Sequence, residues 1–478
     1  MALQPNHFYF LGTLMYRGST CSPVYPAAWL LFGMAFSLTM AHFFSFTWSK
    51  IATVVFYLVP FVWVSMIIWN RRGIQLGIGR IDVLFAMFIL VVLVNSSAMQ
   101  GGFVETTRKY ILYMPFMMVI PYICGRLMRV PDIAQLLRVT IVVGLAMLPI
   151  LLLDRFTSIG RTGRWPFFGQ DHGALLAGAL LAAALIALCV RGLGCQYWSE
   201  RNKCRDQLIN YGLIALVTVF LVWVTARGWL LAGLVGVAVA CLSARQRSAS
   251  IRVGLLVAVL AIAALSISVL PKLDPQFGHL YARSVDLGSS VDSILGATGP
   301  VLGATEPVLG ATEPVLGATE PVLGATEPVL GEASCQPFTE NTNSVAMRWV
   351  LYREAAAIFM EYPYLGVGAV RFGEHSCAGP GGYPHSTILQ GFSELGLVGG
   401  GLLVGLLSLA AITLLRQFLT AGQGSVWSAN AFALALFAMF LVADQIYGNY
   451  FMSVGTFLMM GIAASMRVHV KQGDPGRG

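Results

Sequence analysis

The sequence predicts an all-helical, polytopic membrane protein with about twelve transmembrane helices, and three observations predict it. Apolar residues make up 57% of the chain and charged residues 11%, with a mean hydropathy of +0.73, far from the balance of a soluble domain. Apolar stretches close to the roughly 20 residues that cross a bilayer recur along the chain. Basic residues recur in alternate connections between them, as the positive-inside rule requires of a multi-pass protein.

Taken in order, the predicted spans lie near 27–46, 50–69, 81–99, 110–125, 133–153, 173–190, 208–224, 228–243, 252–270, 392–415, 428–445 and 450–466. Two of them, 110–125 and 228–243, are short for a bilayer crossing. Residues 1–26 lack the charged start, short apolar core and small-residue cleavage site of a signal peptide, so none is expected. With the N-terminus inside, every inner connection contributes basic residues, among them Arg71 and Arg72, Arg201 and Lys203, and Arg467 and Lys471. Both termini are therefore expected in the cytoplasm. The net charge of +8 then reflects topology and does not imply nucleic acid.

Three regions follow. Residues 1–270 hold the first nine spans, 271–385 form one long outer loop, and 386–478 hold the last three spans and a cytoplasmic tail. Inside the loop, LGATGPV at 295–301 is followed by four copies of LGATEPV through Val329. A period of seven suggests a coiled coil, but Gly and Pro in every unit rule out a continuous helix. A flexible, turn- and polyproline-like spacer is expected at 295–329. Order is expected to return with an amphipathic helix at 345–361 lying on the outer membrane surface, with Val345, Trp349, Tyr352, Ala356 and Phe359 on one face. Arg348 then lies beside Tyr352, while Arg353 points about 140° away. Pro363 ends the helix, and Gly366 and Gly368 permit a tight turn.

The candidate functional residues are those that break the topological rule. Arg155, Arg161, Arg164 and Arg227 fall in outer connections, where basic residues are scarce. Arg227 stands in VWVTARGWLL, where almost no loop separates two spans. A central intramembrane Arg costs about 2.5–3.5 kcal/mol on insertion scales. It is read either as a lipid-headgroup anchor or as a guanidinium fork for phosphate oxygens. Arg164, in GRTGRWPFFGQDHG, is a second such candidate. His385 stands in a Gly/Pro-shaped turn directly before a predicted span. An imidazole with an ordinary pKa near 6.5 can take a proton from a hydroxyl nucleophile; elsewhere a lone histidine is more often a hydrogen-bonded packing residue. Glu394 and Asp444 lie in or beside spans, where acids are candidates for function. Glu394 is read as orienting the surroundings of His385, and Asp444 as a partner for one of the arginines.

Cys124, Cys189, Cys195, Cys204 and Cys241 fall at or near inner ends, where thiols stay reduced. Cys335 and Cys377 share the outer loop and are candidates for a disulfide. No metal-ligand spacing, phosphate-cradling glycine loop or nucleotide motif is found, so neither metal nor cofactor is expected.

The chain resembles the O-antigen ligase and polymerase superfamily of bacterial inner membranes over roughly 150–415. The resemblance rests on MRWVLYREAAAIFMEYPYLGVGAVRF, on PHSTILQGFSELGLVGG, and on TARG at 225–228. Thr225 and Ala226 replace the more usual Ser before Arg, and the repeat lengthens the loop. The resemblance implies transfer of a glycan from undecaprenyl diphosphate to an acceptor hydroxyl, without metal or nucleotide sugar. It implies that Arg227 and Arg348 grip the diphosphate and that His385 activates or orients the acceptor; Arg164 joins the phosphate set from the reading of charge placement. Ligation to lipid A-core is preferred, with a carrier-linked polymerase and a protein oligosaccharyltransferase as alternatives. A transporter of anionic lipids or solutes also suits many spans and outer arginines, although no internal repeat of broken helices is found.

Overall fold

The computed structural model describes residues 22–31, 46–70, 77–98, 111–157, 173–194, 203–224, 227–244, 247–274, 344–379, 382–421 and 425–472. The repeat at 295–329, Arg161, Arg164 and Cys335 lie outside these residues. Among the described residues the fold is all helix, with no strand. The helices are α1 (24–31), α2 (Phe46–Asn70), α3 (Arg80–Ala98) and α4 (Ile111–Arg126). They continue with α5 (Val130–Thr157), α6 (Gly173–Gly194), α7 (Lys203–Trp223), α8 (Arg227–Ser243) and α9 (Ala249–Leu273). The last four are α10 (Ser344–Glu361), α11 (Thr387–Thr420), α12 (Ser425–Asp444) and α13 (Val454–Gln472).

Six of these, α5, α6, α7, α9, α11 and α12, are long and apolar enough to cross a membrane. Shorter apolar stretches lie in α2, α4, α8 and α13. Their outward faces carry large apolar residues such as Leu58, Phe61, Leu112, Leu231, Val257, Leu265 and Ile412, all exposed, as suits a lipid-facing surface. Pro115 opens a π-helical turn, Pro115–Val119, within α4; proline removes a helical N–H and loosens the ladder locally.

Helix α6 is the pillar of one half. From Leu180 to Val190 its side chains are almost all buried, because α5, α7, α8 and α12 surround it. Its run of alanines lets those neighbours approach closely. In the other half α4 crosses α13 where Gly125 faces Gly461. A Cβ on either glycine would collide with the other helix's backbone, so this crossing admits only glycine. Helix α11 joins the halves by packing on α3, α10, α12 and α13. It is bent at Gly396, whose φ of 64° and ψ of −162° lie outside the helical region. The turn before it wedges into the bend: a Cβ at Gly366 would strike the backbone of Glu394, and one at Gly396 the backbone of Tyr364.

Contacts sort to two ends of the bundle. At one end Arg126 pairs with Asp82 at 3.0 Å, Arg247 Nε donates to the Leu193 carbonyl and Asn430 Nδ2 to that of Gln417. At the other, Trp223 Nε1 donates to Asp274, Asn95 Nδ2 to the Leu365 carbonyl and Tyr352 Oη to the Gln445 carbonyl. The second set belongs to connections that the basic-residue pattern assigns to the outside.

The side of α10 that packs on the protein is not the stripe expected to lie on the membrane surface. Its buried side is Leu351, Glu354, Ala355 and Ile358, packed on Val367 and Phe372 of the following loop. Trp349 is half exposed and Ala356 exposed. Phe359 meets Phe392 edge-on at 5.2 Å. The helix has apolar residues on both sides, so periodicity left two stripes; the loop folding back with Phe372 selects the second.

Candidate active site

The first turn of α11 places His385. Ser386 is its N-cap, its Oγ accepting from the Leu389 N–H at 3.4 Å and donating to Gln445 Oε1 at 2.8 Å. Thr387 Oγ1 donates to the Asp444 carbonyl at 3.1 Å. These bonds fasten the start of α11 to the end of α12. His385 has φ +56°, a left-handed conformation that costs a non-glycine residue about 1–3 kcal/mol and is held by the capped turn that follows. Its ring lies 4.4 Å from that of Tyr383, half-buried. Nδ1 is buried and has no hydrogen-bond partner among the described residues. Burial, and then the positive charge of Arg348, push the imidazole down to about 4.

The turn after α12 gathers the arginines. Tyr447 Oη accepts from the Gly228 N–H at 2.8 Å, one of the donors that the first turn of α8 leaves without a helical partner. The Arg348 guanidinium sits over the Tyr447 ring, 5.3 Å from its centroid, in a cation–π arrangement. Trp229 stacks on the same ring at 6.2 Å. Arg227 begins α8 and is exposed. Burial raises the Tyr447 phenol above its ordinary pKa, against the opposing pull of the Gly228 bond and the charges of Arg348 and Arg227. Four stretches distant in sequence therefore meet here: the start of α8, α10, the start of α11 and the turn at 445–449. Among the described residues Arg348 makes no ion pair with a carboxylate.

A Cβ at Gly228 would overlap the Tyr447 ring. Gly228→Ala is therefore expected to unseat Tyr447, lowering stability by about 1–3 kcal/mol and disturbing Arg348. Thermal melting of the purified variant checks this, and an unchanged melting temperature would show that the ring yields freely.

The two acids bond to the protein's own donors. Glu394 is fully buried and accepts from the N–H groups of Val370 at 2.8 Å and Phe372 at 3.3 Å, from Gln390 Nε2 at 3.1 Å and from Tyr450 Oη at 2.7 Å. It holds a loop with positive φ at Gly366, Gly368 and Val370. Asn95 clasps the same loop, accepting from the Ala369 N–H at 3.0 Å. The expected pairing of Asp444 with an arginine is corrected: its carboxylate accepts from Thr456 Oγ1 and makes no ion pair among the described residues. The neighbouring α13 hydroxyl reaches it first. Cys377 is disulfide-bonded, while Cys124, Cys189 and Cys241 are free.

Arg227, Arg348 and His385 were legible from sequence and come together; Arg164 lies outside the described residues. Tyr447, Gln445 and Gly228 were missed. A tyrosine next to a span is common at membrane interfaces, so nothing in QIYGNY marked it. Among the described residues no three His, Cys, Asp or Glu side chains group as a metal site. What converges is positive charge and hydrogen-bond donors, an arrangement for an anion.

A family model described as O-Antigen ligase matches residues 212–404, from within α7 to just past the bend of α11. The match contains Arg227, Arg348, His385 and Glu394, and stops short of Asp444 and Tyr447. No curated protein matches the chain.

Proposed function

Because residues 212–404 make this chain a member of the O-antigen ligase superfamily, whose members are membrane glycosyltransferases, we propose that it transfers an O-antigen-like glycan from undecaprenyl diphosphate to a hydroxyl of lipid A-core. The proposed enzyme spans a bacterial inner membrane about twelve times, with both termini cytoplasmic and the site facing the periplasm. The loop at 271–385 is its periplasmic portion, and a Cys335–Cys377 disulfide would suit that compartment.

The observation that carries this reading is the meeting of Arg227 and His385 with Arg348 around Tyr447. In the proposed reaction the acceptor oxygen attacks the anomeric carbon, and its proton passes to His385. The bond from that carbon to the diphosphate oxygen breaks, and the electron pair leaves with the diphosphate. Arg227 and Arg348, with Arg164 as a further ligand, offset the charge that develops there. Glu394 and Asp444 support the site through the loop at 366–372 and the end of α12. A general base must be unprotonated at working pH; the lowered pKa of His385 keeps it so, and it also weakens the pull of the imidazole on the acceptor proton.

The pH profile follows. A lowered pKa means that the base form is lost only as pH falls through about 4. kcat/KM, which reports the free enzyme, is expected to lack an acid limb near the ordinary 6.5. A limb centred there that disappears in a His385 variant would contradict the assignment.

The identifying experiment is reconstitution with an undecaprenyl diphosphate glycan and three acceptors: lipid A-core, a second carrier-linked unit, and a protein rich in Ser and Thr. Glycosylated lipid A-core supports the ligase; transfer to either other acceptor reassigns the enzyme, and carrier flux without any acceptor replaces it with a transporter.

A further inference from the structure

We propose that Gln445 is a positioning residue for the transfer, its side chain setting the turn that carries His385 and its main chain setting the helix that carries Arg348; this rests on the glycan-transfer reading above. Ser386 follows His385 directly in the chain, and its Oγ donates to Gln445 Oε1 at 2.8 Å. With its proton committed there, the Ser386 oxygen turns a lone pair to the Leu389 N–H at 3.4 Å, the bond that caps α11. The Leu441 carbonyl, 3.5 Å from Gln445 Nε2, holds the amide with its oxygen towards Ser386. On its other side Gln445 offers its carbonyl to Tyr352 Oη at 2.9 Å. Tyr352 stands one turn after Arg348 on α10, so the two share a face, and the Arg348 guanidinium lies over Tyr447, two residues beyond Gln445.

The glutamine is a firm base for both arms. The N–H groups of Gln445, Ile446, Tyr447 and Gly448 bond back to the carbonyls of Val442, Ala443 and Asp444, so the turn continues from the end of α12. His385 needs such a base. Its backbone is left-handed, and among the described residues its imidazole makes no hydrogen bond of its own. Its placement therefore comes from the chain on either side, and the Ser386 bond is the nearest side-chain tie. Thr387 is anchored to the Asp444 carbonyl one residue farther on. A misplacement of about 1 Å in a reacting group can cost on the order of 10²-fold in rate. The family match ends at residue 404 and so assigns Gln445 no part.

The test uses the full-length protein in nanodiscs, with an undecaprenyl diphosphate glycan as donor and the acceptor identified by the reconstitution above. Gln445→Met keeps the length of the side chain and offers Ser386 no oxygen. It is expected to lower kcat by roughly 10- to 100-fold, while the dissociation constant for undecaprenyl diphosphate and the melting temperature stay close to wild type. In a Ser386→Ala background it is expected to lower kcat no further, because the bond is already gone. Tyr352→Phe removes the other arm and is expected to weaken undecaprenyl diphosphate binding by roughly 3- to 10-fold, the worth of one neutral hydrogen bond. A merely structural residue would instead move kcat, donor binding and melting together. Should Gln445→Met fold poorly, Gln445→Asn, one methylene too short to reach Ser386, takes its place with the same expectations. If wild type transfers glycan and the variant at 445 matches its turnover, loses donor binding in step with kcat, or loses further kcat in the Ser386→Ala background, Gln445 does not position His385 and the enzyme stands. Wild-type donor binding by Tyr352→Phe overturns the α10 half of the proposal. If wild type transfers glycan to no acceptor, the glycan-transfer reading falls and takes this proposal with it.

Discussion

His385→Ala is expected to reduce glycan transfer by about 10²–10⁴-fold, the usual contribution of a positioned general base, with little change in donor binding or in protein level. The reasoning is geometric first. His385 is held in a left-handed backbone conformation by a turn whose cap, Ser386, is bonded to both α11 and Gln445. That much local constraint on one side chain is costly unless the imidazole is wanted where it is. Its buried Nδ1 finds no partner among the described residues, which leaves a nitrogen for a proton arriving from an acceptor. His385→Gln tests the alternative of simple orientation. An amide can hold an acceptor hydroxyl but cannot take its proton at neutral pH, so Gln is expected to behave like Ala in kcat. A Gln variant with near-normal turnover would reduce His385 to an orienting residue.

The second large effect is expected at Glu394 and acts through stability. Four donors converge on this carboxylate, and each buried donor left without an acceptor costs about 1–3 kcal/mol. Glu394→Ala is expected to destabilise the protein by about 3–5 kcal/mol, as when one partner is removed from a buried polar network. Glu394→Gln is expected to fall between: the amide keeps one acceptor and presents donors to donors. Activity is expected to fall with stability, because the loop Glu394 holds supplies Val367 and Phe372 to the buried face of α10, and α10 carries Arg348. The check is thermal melting paired with transfer assays. A Glu394→Ala protein that melts like wild type but transfers no glycan would reassign this residue to the chemistry.

How much of this was readable in advance depends on the kind of signal. The apolar stretches and the alternation of basic connections report directly on the bilayer, and the long helices lie where they were expected. Arg227 stood out because a cation in an outer turn breaks that pattern, and His385 because of the turn around it. Tyr447 gave no such sign, since its importance comes from Gly228, Trp229 and Arg348, two of them more than two hundred positions away. The protein-facing side of α10 was not legible for a similar reason: its own residues offered two stripes, and Phe372 packs on only one of them. The role of Glu394 was half legible. An acid in a span called for an explanation, but the backbone N–H groups that give one, Val370 and Phe372, carry no side-chain signature.

Gly396 has a mechanical corollary. It divides α11 into a short rod, Thr387–Leu395, and a long one within the bundle, with Tyr364–Gly366 seated in the joint. The histidine thus rides on the short rod, which is tethered to the extramembrane layer by Glu394 and to the penultimate span by Thr387. A bend built at that glycine lets the two rods take different axes, so the direction of the long rod does not fix that of the turn that carries the His385 imidazole.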